Sequence, residues 1–232
     1  MKQFFILTGA IIGITQLGSA ATTCNSGSLA SFIALGSTGC SIGSSTLTSF
    51  QTLPGGILGA TAINPANITL TITPGIVGFS AQANATVGPN QIAEALFNYQ
   101  VSGPSFNMST ITLSNTTETG DGGVTYLQNL CLGGQFSPSG VTGCGGPTRG
   151  LAVVNSGSDT ANFSSISPIG VTDDFTVDGG LAGTAAGGTF TDQFTVPEPS
   201  TILLTGLGLA VAAFGKRRLA GILFSNQNRR VG

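Results

Sequence analysis

Ile68, Leu70 and Ile72 alternate with Thr69, Thr71 and Thr73. A period of two puts one kind of side chain on each face of an extended strand, here apolar against hydroxyl. The alternation returns over residues 108–113, 124–127 and 151–154. It returns again over 171–177 and 189–196, where Phe175 and Val177, then Phe190, Phe194 and Val196, share a face. Turns bearing Gly and Pro separate these runs: Pro54-Gly55-Gly56, Pro74-Gly75, Gly88-Pro89-Asn90, Gly103-Pro104, Gly120-Asp121-Gly122-Gly123 and Asp178-Gly179-Gly180. Many short strands with regular turns predict an all-β chain forming a single β-sandwich or jelly-roll-like domain. Residues 91–101, QIAEALFNYQV, fit two periods. Ile92, Ala95, Leu96 and Tyr99 share a helical face, whereas Ala93, Ala95, Phe97, Tyr99 and Val101 share a strand face. Strand is the better reading, because Phe, Tyr and Val favour a pleated surface.

Composition bounds the chemistry. Histidine is absent, which removes Ser-His-Asp and Cys-His catalysis and His-ligated metals. Charged residues make up 7% of the chain, under a third of the usual quarter. Of the seven basic residues only Arg149 lies away from the chain ends, while eight acids fall between Ala21 and Val196. A body with a net charge of −7 excludes nucleic-acid binding, which needs many Lys and Arg contacts to phosphate.

Both ends read as addresses. Lys2, the apolar run FFILTGAIIGITQL and then Gly18-Ser19-Ala20 form a secretory signal peptide over residues 1–20. A retained N-terminal anchor and a lipoprotein at Cys24 are the alternatives, opposed by the short run and by the Ala21-Thr22-Thr23 context. A secreted domain is expected over 21–195. Val196-Pro197-Glu198-Pro199-Ser200 then breaks any helix or central strand. Residues 201–215, TILLTGLGLAVAAFG, carry no charge and precede Lys216, Arg217 and Arg218. Such a helix spans about 22 Å, so flanking residues must help it cross a membrane. The basic cluster acts as a membrane stop and places residues 219–232 in the cytoplasm as a tail.

These residues resemble a known family pattern. Pro-Glu-Pro, a short Leu/Gly/Ala-rich helix and an Arg-rich cluster, in this order behind a signal peptide, look like the PEP-CTERM sorting signal of Gram-negative bacteria over 196–218. The resemblance implies that Pro197, Glu198 and Pro199 are recognised by an exosortase. It implies an inner-membrane precursor that is cut near the motif and passed to the cell surface or an exopolysaccharide matrix. It also carries an ice-binding designation for the C-terminal segment. The chain departs from the pattern by running on from Leu219 to Gly232 beyond the basic cluster. A plain C-terminal membrane anchor is the simpler alternative.

Cys24, Cys40, Cys131 and Cys144 are expected to form two local disulfides, Cys24–Cys40 and Cys131–Cys144, in an oxidising periplasm. Their spacing lacks the short knuckle of a zinc site. Asp173, Asp174 and Asp178 lie close enough in sequence to join backbone carbonyls around Ca2+, but match no EF-hand, so no metal or cofactor is expected. Glu94 and Glu118 are the candidates for a carboxylate-dependent hydrolase, although their simpler reading is as solvated surface acids. Five Asn-x-Ser/Thr sequons, at Asn67, Asn84, Asn107, Asn115 and Asn162, fit chance in so Thr- and Ser-rich a chain.

Three functions follow. The first is a non-enzymatic exported surface or matrix protein. The second is an ice- or polysaccharide-binding module using Thr rows such as Thr69, Thr71 and Thr73, with exopolysaccharide as partner. No fixed repeat period supports a flat ice face. The third is the secreted hydrolase.

Overall fold

The expected turns do separate strands. The computed structural model describes residues 21–138, 140 and 142–197. The signal peptide 1–20, the helix 201–215 and the tail 219–232 lie outside the described residues. The first strands are β1 (Thr22–Thr23), β2 (Gly27–Ser28), β3 (Cys40–Ile42), β4 (Ser45–Thr52), β5 (Thr61–Ala62) and β6 (Ile68–Thr71). Next come β7 (Val77–Ala83), β8 (Thr86–Val87), β9 (Ile92–Ser102), β10 (Phe106–Ser114), β11 (Thr117–Thr119) and β12 (Gly123–Leu132). The series closes with β13 (Thr148–Val154), β14 (Gly157–Ile166), β15 (Ile169–Asp178), β16 (Thr184–Ala186) and β17 (Thr189–Thr195). Among the described residues one short α-helix, α1 (Leu29–Ile33), starts where the Ser28 hydroxyl accepts the Ser31 N–H at 3.2 Å. Among the described residues no helix is long and apolar enough to cross a membrane.

Three sheets result. The largest runs β1-β3-β4-β9-β15-β12-β13, with β5 beside β9. The second runs β14-β10-β17-β7-β6-β2, and a small third runs β11-β16-β8. Among the described residues only β1 with β3 and β5 with β9 pair in parallel; the other pairs are antiparallel. The all-β arrangement is consistent with a β-sandwich. Residues 91–101 fall almost entirely within β9, and Ala93, Ala95, Phe97, Tyr99 and Val101 are buried on one face as the alternation requires.

The core lies between the two large sheets and is built on rings. Phe97 meets Phe79 at 6.4 Å and Phe190 at 6.3 Å. Phe190 also meets Tyr126 at 4.7 Å and Phe175 at 5.0 Å. Each such side chain contributes roughly 1.5–3 kcal/mol when fully buried. One glycine sets how closely the strands approach. Gly78 on β7 has φ 138°, and a Cβ there would run into the carbonyl oxygen of Asp192 on β17.

The expected strand over 68–73 is shorter than its alternation. β6 ends at Thr71, because Ile76 N–H returns to the Thr73 carbonyl at 3.2 Å and Gly75 turns with φ 84°. The expected disulfides are both formed, Cys24–Cys40 with Cα atoms 4.8 Å apart and Cys131–Cys144 with Cα atoms 5.6 Å apart.

Candidate functional site

The described chain leaves the sandwich through its last strand. β17 lies between β10 and β7, and Thr195 still pairs with Met108. Val196 and Pro197 follow in irregular backbone. Of the expected sorting residues Pro197 is described; Glu198, Pro199, Lys216, Arg217 and Arg218 lie outside the described residues.

The Thr-x-Thr reading finds a different geometry. Thr73 leaves the strand, so only Thr69 and Thr71 stand along β6. The row extends sideways instead. Thr71 pairs with Ser80, Ser80 with Thr191, Thr191 with Thr112, and Thr112 with Ser158, five hydroxyls across β6, β7, β17, β10 and β14. A second row links Ser28, Thr69, Gln82, Thr189 and Ser114. A third joins Gln193, Thr110 and Thr160. Thr191 donates to Ser80 at 3.1 Å, and the Thr110 and Thr160 hydroxyls lie 3.1 Å apart. Neighbouring rows are spaced by the strand repeat and neighbouring columns by the strand separation, about 7 Å and about 4.8 Å. The two acids of these strands do not reach this face. Asp192 points into the core, and Asp159 turns to accept the Ala152 N–H at 3.0 Å. The face is thus uncharged in a strongly acidic body.

The acids fall elsewhere than expected. Glu94 is not a solvated surface acid: it is 2% exposed. Its carboxyl group accepts the Gly56 N–H at 3.1 Å and the Ile57 N–H at 3.3 Å, pinning the loop between β4 and β5. Its carboxyl neighbour is Asp174 on β15, not Glu118, which stands on β11 in the small sheet. Burial raises the Asp174 pKa to about 6; the Thr176 hydroxyl opposes this, and the nearby Glu94 reinforces it. Asp173, Asp174 and Asp178 do not converge on a cation. Asp173 and Asp174 are successive residues of one strand and face opposite sides. Asp178 accepts the Gly180 N–H at 2.8 Å and shapes the turn. Among the described residues no group of three or more metal-ligating side chains forms.

Two acids are buried in the core, which residue type alone did not suggest. Asp173 is fully buried and receives Gln128 Nε2–H on Oδ1 at 3.1 Å. Gln128 Oε1 in turn accepts the Ser109 hydroxyl at 2.8 Å. Burial pushes Asp173 up to about 7, with the Gln128 and Tyr126 contacts pulling the other way. Asp192 is fully buried, and burial pushes its pKa well above the ordinary carboxylate range, with the Gln193 backbone N–H pulling the other way. The signal for both lay in position: each stands in register with the inward Phe175 or with Phe190 and Phe194.

Residues 195–218 match the family model of the PEP-CTERM protein-sorting motif. The body matches no other family. No curated protein matches the chain. Among solved structures, the chain is similar to TmCBM61 in complex with beta-1,4-galactotriose, at 11% identity and a TM-score of 0.30 over 56% of this chain and 83% of that one. It is similar to the Glycosylation Associate Protein (Gap123) complex from Streptococcus agalactiae, at 11% identity and a TM-score of 0.27 over 62% of this chain and 25% of that one. It is also similar to the enzymatically active domain of tailspike protein 4 of bacteriophage CBA120, at 13% identity and a TM-score of 0.22 over 67% of this chain and 20% of that one. Likenesses this distant carry no argument about function. The motif implies recognition by an exosortase and an exported, membrane-anchored precursor.

Proposed function

We propose that this chain, carrying a PEP-CTERM sorting motif at residues 195–218, is a non-enzymatic exported protein of the cell surface or extracellular matrix. One observation carries the reading. The motif begins at Thr195, the last residue of β17, so the final strand and the sorting segment share only that one residue. A folded body can therefore lose the segment without losing a strand. In this reading residues 1–20 direct export and are removed. Residues 201–215 hold the precursor in the inner membrane, with Lys216, Arg217 and Arg218 on the cytoplasmic side. Pro197, Glu198 and Pro199 are read by the exosortase, and cutting releases the body. The two disulfides suit an oxidising compartment. Fractionation of cells with and without the exosortase tests this. The body is expected at the surface or in the matrix only when the enzyme is present. Retention of the intact chain in the inner membrane in both strains contradicts it.

The uncharged hydroxyl face supports a second reading, a module that holds neutral polysaccharide. Hydroxyl and amide groups both donate and accept, which matches a polyol chain. The same face suits an ice lattice poorly. Adjacent strands rotate by about 20–25°, so five strands turn the array through roughly 80–100°. A flexible glycan follows that twist and a planar crystal does not.

A further inference from the structure

Ser109 stands on β10 in the six-stranded sheet and Gln128 on β12 in the eight-stranded sheet. Their hydrogen bond crosses the core from one sheet to the other. A hydroxyl 2.8 Å from an amide oxygen lies within about 4 Å of that amide's carbon, so the nucleophile and the carbonyl it would attack are neighbours. The amide nitrogen of the same group is held by Asp173 Oδ1 at 3.1 Å. Ser109, Gln128 and Asp173 all have zero exposure. The second Asp173 oxygen makes no hydrogen bond of ordinary length, and the Tyr126 hydroxyl lies beside the carboxyl group, which can carry a proton there. A nucleophile, an electrophilic carbonyl and a proton carrier at the leaving group are thus assembled in a dry site.

We propose that Ser109 and Gln128 join in an intramolecular ester that cross-links the two sheets, with Asp173 moving the protons. The Ser109 Oγ–Cδ bond of Gln128 forms and the hydroxyl proton passes to Oε1 along the existing hydrogen bond. Protonated Asp173 gives its proton to Nε2. The tetrahedral intermediate collapses, the Cδ–Nε2 bond breaks, ammonia leaves, and the Oε1 proton returns to Asp173. One hydroxyl and one primary amide become one ester and one ammonia, with no oxidant or cofactor. Burial raises the Asp173 pKa to about 7, so a neutral fraction is present near neutral pH, and the full burial of all three residues shields the ester once made. The link has a mechanical sense. β10 pairs with β17 from Met108 to Ser114, and β17 leads into the sorting segment. While the sorting segment still anchors the precursor, tension on the C-terminal end is passed by a covalent bond to the other sheet.

Intact mass of the reduced, alkylated protein purified from an exporting cell is the test. The proposal expects a mass one ammonia below the sequence, and a branched peptide joining Ser109 to Gln128 in the digest. Hydroxylamine should resolve that peptide into two linear ones. Ser109→Ala and Asp173→Asn should show the full mass, with near-UV circular dichroism reporting whether each is folded. A wild-type protein at full mass, with both peptides linear, overturns the proposal whatever the variants do. So does an ammonia loss that maps to an asparagine succinimide, or one that persists in Ser109→Ala.

Discussion

The Glu94 carboxyl group accepts the backbone N–H of Gly56 at 3.1 Å across 38 residues of chain, and a Cβ on the neighbouring Gly55 would press on Glu94 Oε2 at 2.7 Å. Glycine at position 55 lets the loop lie on the sheet without displacing that carboxylate oxygen. Ile57 adds a second N–H at 3.3 Å. Glu94→Ala leaves both donors without their acceptor and should cost about 1.5–3 kcal/mol. Thermal unfolding should report the loss, and limited proteolysis should cut first within residues 54–60. An unchanged melt would mean that the loop is held by its other contacts.

Stability should fall as pH rises. A carboxyl whose folded pKa is raised binds its proton more tightly folded than unfolded, so its contribution is complete in acid and is lost above the ordinary value. For Asp173, moving from 3.8 to about 7, the loss is on the order of 4 kcal/mol between about pH 4 and pH 7. Asp192 and Asp174 are shifted in the same direction. The melting temperature should be higher at pH 5 than at pH 8. Asp192→Asn should reduce the slope and stabilise the protein at pH 8. A melting temperature that rises with pH would contradict the burial of these acids.

How much of this was legible depended on where hydrophobicity and position agreed. β9 could be read because five large or β-favouring residues repeat every second position. β14 could not: its sequence GSDTANFSSI holds only Phe163 and Ile166 as large apolar residues, both half-buried at a sheet edge. β4 was hidden for a similar reason, being polar and broken in register between Thr48 and Gln51. The burial of Asp173 and Asp192 is not legible from residue type, since an acid is ordinarily a surface residue. Their place in the alternation pointed inward. The hydroxyl face was legible only as single strands, because its rows run across strands that are distant in sequence.

Each disulfide should add about 3 kcal/mol by limiting the unfolded chain. Cys131–Cys144 also fixes the loop that crosses Gly170, where a Cβ would lie 2.8 Å from Gln135 Cα. Denaturant unfolding with and without reductant measures the total. Cys131→Ser with Cys144→Ser should lose about half of it. No change on reduction would mean that the loops are already ordered by packing.

The hydroxyl face should tolerate charge structurally but not functionally. Thr71→Glu with Ser158→Glu puts two carboxylates at the ends of the central row, on exposed residues. The melting temperature should move little, since exposed substitutions usually stay within about 0.5 kcal/mol. Retention on a column of neutral exopolysaccharide should drop several-fold. Equal retention of variant and wild type would remove this face from the binding account.

The export account rests on the sorting segment being read and removed. Its most direct test is C-terminal peptide mapping by mass spectrometry of the protein recovered from cells with and without the exosortase. The account predicts that the enzyme-bearing strain yields a surface form ending within or next to residues 195–218, with no peptide from 219–232, while the deletion strain keeps the sequence through Gly232. Recovery of a C-terminal Gly232 peptide from the surface form of the enzyme-bearing strain would contradict it.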